Sequence, residues 1–422
     1  MFWHRNKTKK QTKSSENRQE PKIGSRVFEG DRTLWIIFTV LVVISILVVY
    51  SSTAKMTYEI GSKLSLFDAL QKQVMYVIFA VMLIFVVHKI DYKVYMRCTF
   101  LLYLFFVGCT IAAYFVGVEI NNSARWIKLG FFTFQPSEGL KITTILMLAR
   151  AMESRQAVIN TIKVIPSWDD IKKDRAGAII RNNTIPLIGP VVLSCGVILP
   201  AHTSSSLIVF ITSLIMLYIG RLHLNEIFKF FMVVFTIGVI GIGGLVVLDA
   251  GRIDIAKRRV VKWTNEWVEE STAKSINEIS DTQRALIAIR EGGLFGEGAG
   301  QSTSRVLVTH PENDYAYAFF VSEYGIIAGL ILMLLYLWIF FRAMDIGQQC
   351  RTPFPTLMTL GLGLLITGQA LLHILVQVNI LPETGQPLPF ISRGGTSLLF
   401  STLALGMIIS VSRTNYNNRI GR

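Results

Sequence analysis

The chain is 422 residues long, 51% hydrophobic and 17% charged, with a mean hydropathy of +0.48. These values exclude an ordinary soluble domain and a disordered chain, and they describe a polytopic helical membrane protein. The formal net charge of +14 follows from cations gathered in connections on one side of the membrane, so it calls for no nucleic-acid partner.

A span needs about twenty predominantly apolar residues. Ten such stretches follow one another at 34–52, 73–88, 99–118, 136–152, 185–200, 205–221, 227–248, 315–341, 355–378 and 396–411. The fourth, fifth and sixth are short or interrupted by Pro136, Pro186, Pro190 and Pro200. The expected fold is an all-α polytopic membrane protein of about ten transmembrane helices. A basic tail occupies 1–33, one membrane domain 34–411 and a short tail 412–422, with a long extracytoplasmic loop, 249–314, between spans seven and eight.

The leading tail carries Arg5, Lys7, Lys9, Lys10, Lys13, Arg18, Lys22, Arg26 and Arg32, and no small-residue cleavage site follows the first apolar run. It reads as a cytoplasmic tail and not as a signal peptide. Ten spans then put both termini inside, together with the connections holding Lys89, Lys93 and Arg97, the run from Arg155 to Arg181, and Arg342 with Arg351. Within the connection from Glu153 to Thr184, WDDIKKDR suits a partner-facing or lipid-facing surface without identifiable chemistry. Cys98, Cys109, Cys195 and Cys350 show neither paired spacing nor a metal pattern and read as small apolar packing residues.

This topology leaves three polar segments on the outer face. The first is VEINNSARWIKLGFFTFQPSEGLK, Val118 to Lys141. Asn121, Asn122 and Ser123 mark a turn, and Trp126, Phe131, Phe132 and Phe134 suit headgroup depth. Pro136, Ser137 and Glu138 start a helix with a negative charge near its positive dipole end. Glu138 and Lys141 are three residues apart and share one helical face. That spacing allows a structural ion pair closing the helix top, or a cavity in which Arg125 and Lys141 hold an anionic ligand.

The second segment, Asp249 to Asp314, exceeds the length of a plain connector. Trp263 to Glu270 and Ser275 to Arg290 have the pattern of surface amphipathic helices. GGLFGEGAGQS follows; it lacks the Lys-Ser/Thr ending of a phosphate loop and reads as tight turns re-aiming the chain into the membrane. His310, Pro311, Glu312, Asn313, Asp314 and Tyr315 then enter the eighth span. A carboxylate at the mouth of a membrane bundle is costly to place, which makes Asp314 the leading functional candidate; Glu323, inside the span, should face the bundle interior with a partner. The third segment, Asn379 to Ser397, holds three prolines and three glycines. A stiff hairpin accounts for Pro382, Pro387 and Pro389, but less well for Arg393, whose guanidinium beside Gly394 and Gly395 at a helix start suits a phosphate or pyrophosphate.

RWIKLG…FQPSE..K at Arg125 to Lys141, GGLFGEGAGQS at Gly292 to Ser302, PENDYAYAFFVSEYG at Pro311 to Gly325 and LPETGQPLPFISRGGTS at Leu381 to Ser397 resemble the signature segments of the SEDS family, the FtsW, RodA and SpoVE proteins. The resemblance covers all ten spans in order. It implies a peptidoglycan glycosyltransferase that polymerises lipid II, the undecaprenyl-pyrophosphate-linked disaccharide peptide, outside the membrane. The usual partner is a class B penicillin-binding protein, with division regulators if the chain is of the FtsW type. The long basic tail and Arg393 in ISRGG favour that type over RodA, which would put the protein at the division septum.

The resemblance makes Asp314 the catalytic aspartate, with Tyr315 where phenylalanine is usual. It puts Arg125 and Lys141 on the family's arginine and lysine positions and Glu323 on one of its acidic positions. The chemistry suits these residue types: a carboxylate to take the acceptor hydroxyl's proton, and cations to steady a departing pyrophosphate. Asp314 is expected as general base of an inverting reaction; Arg125, Lys141 and Arg393, with Glu138 and Glu323, are the candidate substrate contacts. No resident cofactor is expected. A divalent cation, Mg2+ or Mn2+, could share the pyrophosphate charge, although no carboxylate cluster is present to fix it. One departure stands out: where many members read Q-P-D-L-G-T this chain has LPAHTSSS, with Ala201 in place of the aspartate. His202 there reads as a hydrogen-bonded loop residue, and either the missing carboxylate is not essential to the chemistry in this branch or its structural role has moved to His202, Thr203 and Ser204. Two other functions fit the same chain: a lipid II flippase, and a non-catalytic scaffold that activates a penicillin-binding protein.

Overall fold

The computed structural model describes residues 28–59, 66–120, 123–129, 132–159, 162, 163, 165, 166, 168–172, 176–247, 261, 263, 280–302 and 313–420. The basic tail before residue 28, Asn121 and Asn122, Phe131, the stretch after Trp263 up to Glu270 and the approach His310 to Glu312 lie outside them.

A helix stands at each of the ten expected spans: α1 (Arg32–Glu59), α2 (Leu66–Val87), α3 (Tyr92–Val116), α4 (Pro136–Glu153), then, after the short α5 (Trp168–Lys172) and α6 (Ala176–Ile179), α7 (Ile185–Ile198), α8 (Thr203–Ile219) and α9 (Leu224–Val247). A surface helix α10 (Asp281–Gly292) precedes α11 (Ala316–Gln348), α12 (Pro353–Gln377) and α13 (Gly395–Ile420). Seven helical stretches among the described residues are long and apolar enough to cross a membrane. Several helices outrun their expected bounds; α13 continues to Ile420, so the tail expected from 412 is helical for most of its length.

Helix α4 explains why the fourth span is weak as an apolar pattern. Pro136 opens it, Glu138 sits in its first turn and Arg150 in its last, as the helix dipole favours. Almost every residue is buried, against α3, α7 and α12. A helix shielded from lipid can carry polar side chains provided neighbours satisfy them. Thr144 Oγ1 meets Ser194 Oγ at 2.7 Å, Ser194 donates to Tyr103 Oη at 3.2 Å, and the Tyr103 hydroxyl donates to the Pro190 carbonyl at 2.9 Å.

The segment after α3, expected as a turn with interfacial aromatics, also forms a small antiparallel sheet in the order β1-β2-β3: β1 (Val118–Ile120), β2 (Ser123–Leu129) and β3 (Phe132–Phe134). Trp126 pairs with Val118, and Ile127 with Phe134. Phe134 packs inward, its ring 6.3 Å from that of Phe106 and 5.7 Å from that of Phe400. Helix α10 occupies the later part of the Ser275 to Arg290 stretch, set by a capping box between Ser280 and Gln283.

At the opposite end of the bundle, Asp31 accepts from Arg342 Nε at 3.0 Å, and Arg413 lies 3.6 Å from Glu29. Lys163 pairs with Asp170 at 2.7 Å and Lys229 with Glu226 at 2.5 Å. These last two pairs border a groove of about 430 Å³ also lined by His223 and Asn225. WDDIKKDR thus contributes Asp170 to a charged surface formed by ion pairs.

Candidate functional site

The segment expected as a hairpin between the last two spans is instead a re-entrant loop. Residues Leu388 to Ser392 are buried, and backbone buried within a membrane bundle must be satisfied by protein. Side chains from four helices do this. From α8, Ser204 Oγ donates to the Thr384 carbonyl at 3.1 Å. From α11, the Tyr336 hydroxyl donates to the Pro389 carbonyl at 2.5 Å, and from α1, Ser45 Oγ donates to the Ile391 carbonyl at 3.2 Å. From α12, Gln369 Nε2 donates to the Pro387 carbonyl at 3.4 Å, and His373 Nδ1 lies 2.7 Å from the Gln386 carbonyl. The prolines suit this use, since a residue without an N–H leaves one donor fewer to satisfy.

Asp314 lies in the turn Asn313–Tyr315, directly before α11, and is half-buried. The turn is held from three directions. Ser392 of the re-entrant loop donates to the Asn313 carbonyl at 2.8 Å, Gln377 at the end of α12 donates to the Asp314 carbonyl at 2.6 Å, and the Tyr315 hydroxyl donates to Glu383 Oε1 at 3.1 Å. The backbone carrying the carboxylate is therefore fixed by the same loop that carries Arg393.

Lys141 and Glu138 form an ion pair at 2.8 Å, their side chains 1% and 6% exposed. Lys141 also donates to Gln369 Oε1 at 3.3 Å. The pair reaches the re-entrant loop through Gln369. The ion-pair arrangement allowed by the three-residue spacing is present, and it commits Lys141 to protein partners.

Arg393 lines a cavity of about 220 Å³ with Lys72, Gln73, Tyr76, Trp126, Thr133, Gly394 and Gly395. Gly395 is required by a close approach: a Cβ there would stand 2.3 Å from the Tyr76 ring. Lys72 was not a candidate from the sequence; its place beside Gln73 at the start of α2 carried no signal until the fold brought α2 against the start of α13. Gln73 Nε2 donates to Ser45 Oγ at 2.8 Å, joining the cavity wall to the residue that holds Ile391. Arg125 lies in β2, next to the cavity residue Trp126; its side chain is outside the described residues.

Glu323 stands apart from the re-entrant loop. It is 1% exposed, and its carboxylate accepts from Ser51 Oγ and from the Gly300 amide at 3.0 Å. The glycine run wraps this point: Glu297 N donates to the Ser322 carbonyl at 3.0 Å and Gly298 N to the Glu323 carbonyl at 3.1 Å. Gly296 has φ +82°, and a Cβ there would stand 2.2 Å from the Glu323 carbonyl oxygen. Glycines here serve close backbone approach and turns, as expected from the missing phosphate-loop ending.

His202 caps α8, its Nδ1 accepting from the Ser205 amide at 3.4 Å and meeting Gln386 Nε2 at 2.9 Å. Histidine and serines thus hold the re-entrant loop from the start of α8. Among the described residues, no group of three or more His, Cys, Asp or Glu side chains is placed to hold a metal ion.

The sequence model of the FtsW/RodA/SpoVE family, described as "Cell cycle protein", matches residues 31–417. Stage V sporulation protein E of Bacillus subtilis is 27% identical over 389 residues, spanning 91% of this chain and 97% of that protein. The probable peptidoglycan glycosyltransferase FtsW of Haemophilus influenzae is 25% identical over 396 residues, spanning 93% and 92%. Two solved structures share the fold over 92% of this chain and 98% of theirs. One is a chain of "Structural coordination of polymerization and crosslinking by a peptidoglycan synthase complex", with a TM-score of 0.67 at 17% identity; the other is the rod shape determining protein RodA of Thermus thermophilus, with a TM-score of 0.58 at 19% identity. With that family model matching residues 31–417, nearly the whole chain, the chain is a member of the FtsW/RodA/SpoVE family of cell cycle proteins.

Proposed function

We propose that this chain is a peptidoglycan glycosyltransferase that polymerises lipid II at the outer face of the cytoplasmic membrane, in the division branch of its family. The observation that carries the proposal is the fixing of the Asp314 turn by the same re-entrant loop that presents Arg393 to a cation-lined cavity. With both termini cytoplasmic, this end of the bundle faces outward, where the substrate's headgroup lies.

In the proposed reaction Asp314 takes the proton from the acceptor sugar hydroxyl as its oxygen attacks the anomeric carbon of the donor. The bond from that carbon to the pyrophosphate oxygen breaks with inversion, and undecaprenyl pyrophosphate leaves with the electron pair. Arg393 and Lys72 compensate the charge that develops on the leaving group, and the resemblance of its segment to the family's assigns Arg125 the same role. Lys141 and Glu138 hold the α4 end of the site through Gln369. A divalent cation bound with the pyrophosphate would share its charge; Mg2+, Mn2+ and chelator in the same assay measure its share.

The relatives named as peptidoglycan glycosyltransferases support this reading, and the solved complex that coordinates polymerization and crosslinking supports a crosslinking partner, which we take to be a class B penicillin-binding protein acting with division regulators at the septum. The test is glycan-strand synthesis from lipid II by the chain reconstituted with that partner, the partner's transpeptidase site blocked. Wild type should polymerise and Asp314→Asn should not, with both complexes folded. Equal polymer from both would remove Asp314 as base. No polymer from either, with lipid II crossing the bilayer, would replace polymerisation by transport.

A further inference from the structure

Helix α11 is broken. Gly325 has φ +86° and ψ 167°, and the lower part of the helix begins at Ile326 with amides that lack an intrahelical acceptor. The glycine loop supplies acceptors: Ile326 N donates to the Gly293 carbonyl at 2.9 Å and Ile327 N to the Leu294 carbonyl at 3.4 Å. A Cβ on Gly325 would stand 2.2 Å from that Leu294 oxygen, so the two backbones lie against each other. The tip of the loop, Leu294 and Phe295, points away, 61% and 82% exposed.

The depth of this tip follows from helix geometry. The Asp31–Arg342 pair, with Glu29 and Arg413, forms a charged layer at the opposite end of the bundle. At 1.5 Å per residue, Ile326, the first residue of the unbroken lower part of α11, stands about 24 Å above Arg342. Counting independently along α1, Ser51, which bonds to Glu323, stands about 30 Å above Asp31. The hydrocarbon core of a bilayer is about 30 Å thick. The Glu323 junction therefore marks the far boundary of the core, and the amides bonded to Gly293 and Leu294 lie several ångströms inside it.

We propose that Leu294 and Phe295 form a foot inserted among the acyl chains of the leaflet on the Asp314 side. The occupant is lipid because the tip continues the exposed apolar face of α11, where Ile327, Leu330, Ile331 and Leu334 are 44–56% exposed. A ring bare over four-fifths of its surface projects into its surroundings, which suits a fluid of acyl chains better than the flat face of a partner helix. The glycines on either side let the backbone turn down to this depth, while amides of α11 satisfy the Gly293 and Leu294 carbonyls, as insertion requires of buried backbone. The foot tethers to the bilayer the loop that leads into the segment ending at Asp314.

The full-length chain carrying p-benzoyl-phenylalanine at position 295, in membranes of the expressing cells, tests this under ultraviolet light. The expected product is the peptide containing residue 295 with its mass raised by one phospholipid. A cross-linked protein as the main product would assign the tip to a protein partner, and an unreacted benzophenone would put it in water; each overturns the proposal. The same reagent at position 294 guards against a local packing fault at 295 and should give the same lipid adduct.

Discussion

Substituting Glu138 by Gln separates the charge of the Glu138–Lys141 pair from its shape. At 2.8 Å, and with an effective dielectric constant near 20, the attraction removed is about 6 kcal/mol. Lys141 keeps its bond to Gln369 Oε1 and gains a neutral acceptor from the new amide, which returns about 1–2 kcal/mol. The net loss should be about 3–5 kcal/mol, the cost of leaving one charge of a buried pair uncompensated. Lys141→Met should cost less, about 2–3 kcal/mol, because Glu138 lies in the first turn of α4, where the helix dipole contributes up to about 2 kcal/mol. The double variant, Glu138→Gln with Lys141→Met, should lose less than the sum by about 2 kcal/mol or more. Reversible unfolding in mixed micelles, with all four species measured in one buffer, reads these differences. If each single change costs less than about 1 kcal/mol and the double is additive, the pair is open to water and the reasoning from burial fails.

Gln377→Ala removes the donor to the Asp314 carbonyl; turnover should fall about tenfold, equivalent to ~1.4 kcal/mol, with KM for lipid II unchanged, as steady-state polymerisation would measure. Arg393→Ala and Lys72→Ala should each lower kcat/KM by roughly tenfold to a hundredfold, from the loss of about 1.5–3 kcal/mol in charged hydrogen bonding. Arg393→Lys should recover only part of that, since an ammonium lacks the guanidinium fork; full recovery would mean that Arg393 acts as a point charge alone. Gly296→Ala should abolish the folded peak in detergent size-exclusion chromatography, because its Cβ meets the Glu323 carbonyl at positive φ. Gly368→Ala, with open space at its Cβ, should stabilise α12 by about 0.5–1 kcal/mol.

Hydropathy determined the lipid-facing helices and their order, because a lipid-facing helix must declare itself residue by residue, whereas α4, buried on nearly every side, showed only as a weak pattern. It also marked Asp314 and Arg393, since a charge at the end of a membrane helix is costly and stands out against an apolar background. The glycine run could be read as turns from the side chains it lacks. What only the tertiary structure decided is what each polar residue is used for. The burial of the re-entrant loop was illegible because its hydrogen-bond partners, Ser45, Ser204, Tyr336 and Gln369, lie far away in the chain and look like ordinary helix residues. The same distance hid Lys72 from the site and assigned Glu323 to Gly300 and Ser51 rather than to the loop of Arg393. Local pattern reports whether a residue tolerates lipid, whereas a buried polar group is defined by a partner that folding brings from elsewhere.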